Sequence, residues 1–277
     1  MTTLFVSPHF DDVVLSCPAH VVDAGRHGRV IVATAFGHNQ DARRAEDARA
    51  LALLGAEALP LPFSDAPERL GIEPGLRSLL LTRYDREAED RAALIAALRP
   101  LLAAASVTHL VLPLGVGGHV DHRIVHGLYD AWPHAVSVSF FEDEPYARVR
   151  GAIQARLGEI GAQPAGALSP NVTPADVRAS AQAVFGSLLA RTRPLEDADA
   201  ITTLAHRLAA PTRSGDGRVG PLLTHDVPTV PALADAALSC YASQLADWFP
   251  SDEVRRAFVK RSVTERTWRY AGASVAP

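Results

Sequence analysis

Short apolar runs alternate with stretches of helical spacing over roughly the first half of the chain, the rhythm of strands feeding helices. Thr3–Ser7, with Leu4, Phe5 and Val6 at its centre, reads as a buried strand closed by Pro8. Residues 12–26 read as a helix, rich in aspartate at its start and ending near Gly25, and Pro18 should kink it or fall in its first turns. Arg29–Phe36 is rich in β-branched residues and predicts a second strand before Gly37. Asp41–Leu54 predicts a helix with Asp41 as its cap and Gly55 as its stop. A short strand over 58–62 and a long alanine-leucine helix from Arg86 to Ala105 follow. Thr108–Pro113 predicts the next strand, ahead of the turn Gly115-Val116-Gly117-Gly118; Asp121–Ala131 reads as helix and Val136–Phe141 as strand. The order implies an α/β fold, a mostly parallel sheet with helices on both faces.

Beyond Phe141 the pattern loosens. Residues 160–220 mix proline, glycine and threonine with short helical pieces such as Pro174–Ala190, which suits an insertion or lid on a single 1–277 domain. Val230–Tyr270 returns to helix-like spacing, broken at Pro250. Hydrophobic residues at 48% and charged residues at 21% place the chain among ordinary folded proteins and against disorder. A net charge of −4 provides no basic footprint for nucleic acid. Two cysteines, Cys17 and Cys240, build no disulfide framework, and no signal-like start is visible, so a cytoplasmic, reducing setting is expected. No run of about 18 apolar residues offers a membrane span. Lys260 is the single lysine among 27 basic residues, which reads as base-composition bias. No feature assigns an oligomeric state.

Two polar clusters stand where strands end. Ser7-Pro8-His9-Phe10-Asp11-Asp12 follows the first strand, and Gly117-Gly118-His119-Val120-Asp121-His122 follows the fourth. In an open α/β sheet the crevice beyond the carboxyl ends of the strands is the usual ligand site. Two adjacent carboxylates there repel each other unless a cation lies among them. The competing reading makes Asp11 or Asp12 a helix cap and His9 an ordinary hydrogen-bonding side chain. Two sheet-end loops that each carry histidine and aspartate can instead converge, and two imidazoles with one carboxylate make a set with open positions that suits a catalytic divalent metal.

With these motifs the chain resembles the PIG-L/LmbE-like family of zinc-dependent N-deacetylases, which act largely on N-acetylglucosamine-type compounds. The family's Ala-His-Pro-Asp-Asp-Glu is matched by Ser7-Pro8-His9-Phe10-Asp11-Asp12-Val13, and its His-Pro/Val-Asp-His by His119-Val120-Asp121-His122. Arg43, Glu46, Leu54 and Gly55 match its Arg-x-x-Glu and Leu-Gly, and Asp65 matches an aspartate before the long helix. Phe141–Ala147 and Tyr241-Ala242-Ser243-Gln244 resemble one branch of the family, so the likeness spans the chain except about 160–220. Phe10 and Val13 depart from it; neither stands at a ligand position, and Val13 is expected to remove a polar group near the pocket.

The resemblance implies a Rossmann-like version of this fold and one Zn2+, or another divalent ion such as Fe2+, held by His9, Asp12 and His122. Asp11 would be general base toward a metal-bound water, His119 would stabilise the oxyanion as imidazolium or as a neutral donor, and Asp121 would orient His119. Whether Asp11 or His119 protonates the leaving amine stays open. Arg43 is a candidate substrate contact, against a solvated helix face with local ion pairs, and Asp65 is another, against a turn-forming aspartate. His20, His27 and His134 read as surface histidines, His38 as a loop residue, and His225 as either a cleft or an ordinary position. Cys17 reads as a small buried residue, and Trp132, Trp248 and Trp268 as packing residues. The expected reaction is hydrolysis of an N-acetyl group on an amino sugar or a glycosylated natural-product intermediate, with a small-molecule partner. The alternatives are a non-sugar N-acyl metabolite and a non-catalytic sugar-binding relative. A dinucleotide module is disfavoured because no Gly-x-Gly-x-x-Gly follows the first strand.

Overall fold

The computed structural model describes residues 1–71, 84–132, 136–164, 172–191, 203, 221–260 and 263–270. Among them, eight strands form one sheet in the order β3-β2-β1-β4-β5-β8-β7-β6. The first five are β1 (Thr2–Ser7), β2 (Arg29–Phe36), β3 (Glu57–Phe63), β4 (Val107–Pro113) and β5 (Ser137–Phe141), all parallel. β6 (Gln163–Pro164), β7 (Pro221–Pro228) and β8 (Thr264–Tyr270) extend the far edge, where β8 runs antiparallel to both β5 and β7. The sheet is therefore α/β and mostly parallel, as its sequence rhythm implies.

Alternation along the strands divides the core into two layers. Leu4, Val6, Ile31, Leu110 and Leu112 face one side, where Leu94 and Leu98 of α5 (Glu87–Ala104) and Ile124 and Val125 of α6 (Val120–His126) cover them. Phe5, Val30, Val32 and Val111 face the other, under α1 (Asp12–Ser16), α2 (Pro18–Gly25), α3 (Asp41–Leu53) and α9 (Pro231–Leu238). Fully burying one such aliphatic side chain is worth roughly 1.5–3 kcal/mol, so these two layers fix which way each strand's end residues point.

Several boundaries differ from the sequence pattern. The 12–26 helix is two helices, divided at Cys17, with Pro18 opening the second, where its missing N–H costs nothing. Gln40, not Asp41, occupies the cap of α3. The expected 121–131 helix is α6 followed by a 3-10 turn over Gly127–Ala131. Val230–Tyr270 holds α9, α10 (Ala242–Trp248) and α11 (Asp252–Lys260), but its last segment is β8 (Thr264–Tyr270), in which Thr267 and Trp268 are buried between exposed Arg266 and Arg269. β7 falls in a stretch for which the pattern offered no element. α7 (Ala152–Glu159) precedes the 160–220 insertion, of which only residues 160–164, α8 (Pro174–Arg191 with 172–173 before it) and residue 203 are described, and His134 lies outside the described residues. Among the described residues no helix is long and apolar enough to cross a membrane.

Candidate active site

β1 has β2 on one side and β4 on the other, so the chain's strand order reverses between β1 and β4. At such a switch point the loops leaving adjacent strands diverge and open a crevice. His9, Asp11 and Asp12 leave β1 there, and His119, Asp121 and His122 leave β4. Ser7 shapes the first loop, donating through Oγ to the His9 carbonyl and accepting from the Val13 N–H. The Asp12 carboxylate accepts from the His9 backbone N–H at 2.8 Å, which aims the aspartate inward.

Three ligand atoms then converge. His9 Nδ1 stands 3.1 Å and His122 Nε2 3.3 Å from Asp12 Oδ2, and one ligand atom from each residue lies within 4.8 Å of the others. A tetrahedral ion with bonds of about 2.0–2.2 Å spaces its ligands about 3.3–3.6 Å apart, so the set fits a small divalent ion. His122 Nε2 is buried without a well-aligned hydrogen-bond partner, as a nitrogen reserved for a metal would be.

The other nitrogen of each histidine rests on a carboxylate. His9 Nε2 meets Asp121 Oδ2 at 2.9 Å, and His122 Nδ1 meets Asp143 Oδ1 at 2.6 Å. Such partners fix ring orientation and raise ligand basicity. Both carboxylates are themselves anchored: Asp121 accepts from the Ala66 N–H and Arg69, Asp143 from the Gly115 and Val116 N–H groups. Burial pushes the His9 pKa down, but Asp12 and Asp121 outweigh it and raise it to about 9; for His122, burial is outweighed by Asp12 and Asp143, which raise it to about 10. Burial pushes Asp12 up, yet His122 and His9 hold it well below the usual carboxylate range. The cluster therefore favours positive charge at its centre. His9, His119 and Asp121 form a second close trio, but Asp121 is already committed to Ala66, Arg69 and His9.

Asp11 sits at the cap position of α1 without capping it. Its Oδ1 accepts from Arg43 at 3.2 Å, and its Oδ2 is buried with no partner. His119 is 3% exposed and accepts through Nδ1 from the Asp121 backbone N–H at 3.2 Å. Its proton therefore belongs on Nε2. Burial depresses its pKa well below the ordinary value, which favours the neutral imidazole. The expectation that the Asp121 side chain orients His119 is corrected: the Asp121 backbone does so, because its carboxylate is turned to His9.

Arg43 bonds both Asp11 and Gln40, and Gln40 bonds Asp65, whose other oxygen caps α4 (Ala66–Leu70) at the Glu68 N–H. Gln40 and Arg43, with Asn39, Ser243 and Gln244, line an open groove. Asp65 thus holds the rim through Gln40 while also making the turn. Tyr146 closes the opposite side, its ring 5.5 Å from that of His122, and packs so tightly on Gly117 that a Cβ there would come within 2.8 Å of it. Gly37, at φ +125, likewise gives its space to the Phe10 ring.

Other positions resolve plainly. Val13 is buried in the apolar core, so no polar group at the pocket is missing there. His20 is buried, against expectation, because β8 covers it and Glu265 O bonds its ring; exposed His225 stands edge-on to it at 5.5 Å. His27 and His38 are exposed. Cys17 is buried and free. Arg69 and Gln40 are not among the sequence candidates, and Asp143 and Tyr146 enter only within the segment Phe141–Ala147, without a role. For Asp143 a signal existed, a carboxylate two residues past a predicted strand; Arg69 and Gln40 enter through long-range contacts that no local pattern encodes.

No protein-family model matches the chain. A 2′-N-acetylparomamine deacetylase of Streptomyces fradiae is 33% identical over a stretch covering 54% of this chain and 60% of that protein. The chain thus spans about 60% of that relative's length. Among solved structures, teicoplanin deacetylase in a zinc-inhibited form superposes with a TM-score of 0.60 at 18% identity, covering 99% of this chain and 100% of that one. A deacetylase of the A40926 pseudoaglycone gives 0.52 at 20% identity, covering 98% of each chain. At these identities the two structures speak to the fold.

Proposed function

We propose that the protein is a metal-dependent N-deacetylase of the PIG-L/LmbE-like kind, acting on an N-acetylated amino sugar of a glycosylated natural product or its precursor. The observation that carries this reading is the convergence of His9 Nδ1, Asp12 Oδ2 and His122 Nε2 beside the unpartnered, buried Asp11 Oδ2. The sequence likeness to a 2′-N-acetylparomamine deacetylase supports the substrate class. His9, Asp12 and His122 would hold one divalent ion, whose chemistry when bound is to polarise a carbonyl and to ease deprotonation of water near neutral pH.

The chain's own residues divide the remaining work. Asp11 offers Oδ2 to accept a proton from the attacking water, while Arg43 on Oδ1 keeps the carboxylate turned inward. Neutral His119 presents Nε2–H to the oxygen on which charge develops, a donor fixed before the reaction begins. Proton return to the leaving amine falls to Asp11, because His119 is held as the wrong kind of acid: a neutral imidazole that would have to become an anion. Gln40, Arg43 and Gln244 present amide and guanidinium groups suited to sugar hydroxyls. The ion is expected to be zinc by its two-histidine, one-carboxylate set, although a fold neighbour is described as zinc-inhibited. Amine release from N-acetylated aminoglycosides and from N-acetylglucosamine, measured while one divalent ion at a time is titrated in, tests both points. Release that peaks near one equivalent and disappears with chelator is expected. Release unaffected by complete metal removal would contradict the reading.

A further inference from the structure

Tyr241 and Asp47 lie outside the ligand set, yet they end on its first loop. Tyr241 Oη stands 2.8 Å from the Phe10 carbonyl and 2.6 Å from Asp47 Oδ1, and Asp47 Oδ2 accepts from Thr34 Oγ1 at 3.3 Å. Asp47 and Tyr241 are each 2% exposed, so water does not supply missing bonds. Tyr241 owns one hydroxyl proton and faces two acceptors, and a carbonyl can only accept. If that proton goes to Phe10, the short contact to Asp47 needs a proton from the carboxyl group.

We propose that Thr34, Asp47 and Tyr241 form a positioning chain for Asp11, in which Asp47 is a neutral acid that donates to Tyr241 while Tyr241 donates to the Phe10 carbonyl. Phe10 immediately precedes Asp11, and Arg43, one turn before Asp47 on α3, grips the Asp11 side chain. One helix thus secures both the backbone and the carboxylate of the proposed base. Glu46, between them, ties α3 to α10 by accepting from the Ser243 N–H and hydroxyl. The charged and titratable groups facing Asp47 are Tyr241, Asp11 and Arg43; burial leads in raising its pKa, to about 8 from 3.8. Tyr241, Asp47 and Thr34 touch no reacting atom and act through the loop.

The inference rests on the deacetylase reading for its kinetic arm only. Tyr241→Phe, Asp47→Asn and Asp47→Ala are compared with the unaltered protein for bound metal, kcat, KM and melting temperature at about pH 5 and about pH 8. An asparagine amide can donate to Tyr241 and accept from Thr34, reproducing the neutral acid. Asp47→Asn is therefore expected to keep kcat within about twofold, while Asp47→Ala and Tyr241→Phe keep metal and KM but lose about tenfold in kcat, the loss of one buried hydrogen bond. Equal damage from Asn and Ala would overturn the proposal. The stability arm needs no substrate. A carboxyl group whose folded pKa is raised binds a proton that the unfolded chain has released, so stability declines as pH rises from about 4 toward 8. Relative to Asp47→Asn, the unaltered protein should lose melting temperature over that range. If it releases no amine at all, the deacetylase reading fails while this arm still decides the protonation. Identical pH dependence in the two proteins would show Asp47 to be ionised and the chain to be wrong.

Discussion

The two walls of the site are built differently. On one, His9 and His122 rest on Asp121 and Asp143, fully buried carboxylates that follow β4 and β5, and Asp12 accepts from the His9 backbone N–H. On the other, Arg43, Gln40 and Asp65 hold one another in a chain of part-buried side chains on α3 and before α4. Charged hydrogen bonds shielded from water are stronger and dearer to break than those in reach of it. The first wall suits an ion that demands fixed distances; the second suits a substrate with many hydroxyls, whose contacts can adjust.

Breaking the first wall should have the largest effect. His122→Ala should bind no ion above background and release no amine, as metal analysis and an amine assay would show; retained stoichiometric metal would remove His122 from the ligand set. His119→Ala comes next, with metal intact, KM nearly unchanged and kcat lower by about 10²–10³ for the loss of one oxyanion donor. If only KM rises, His119 is a substrate contact. Asp143→Asn should leave the ligands in place but weaken metal affinity by about 10–100-fold, read by competition with a chromogenic chelator. Unchanged affinity would make Asp143 a support of the Gly115–Gly118 turn alone. The second wall should respond least: Arg43→Ala should keep its metal and lose about tenfold in kcat/KM, one charged hydrogen bond at a part-buried position. Loss of metal from that variant would erase the distinction between the walls.

The same division decides what the sequence discloses. His9, Asp12, His119 and His122 are legible because a parallel sheet carries the residues just past its strand ends into one crevice, and those strands announce themselves as apolar runs. Asp143 obeys the same rule after β5 but stands in a crowded acidic segment, Glu142-Asp143-Glu144, where nothing local separates the buried carboxylate from its neighbours. The antiparallel edge is harder to read. β8 carries Glu265, Arg266 and Arg269 among its seven residues, so its spacing imitates a polar helix, and once it is misread the burial of His20 beneath it is lost too. The Asp121 carboxylate illustrates a finer limit: adjacency to His119 in sequence suggested a contact that its backbone makes, while the side chain reaches His9 across 112 positions.

In the proposed function the ion and the proton acceptor are separate parts of one hydrolytic site, and Asp11→Asn separates them in a single substitution. A carboxamide keeps the size and polarity of Asp11 but cannot take up a proton. Divalent metal is titrated into the metal-stripped variant and the unaltered protein side by side, and amine release is followed at each step. Equal binding of about one ion is expected, with turnover restored in the unaltered protein and lower in the variant by about 10²–10⁴. Turnover in the variant close to that of the unaltered protein, or loss of its metal together with its activity, would contradict it.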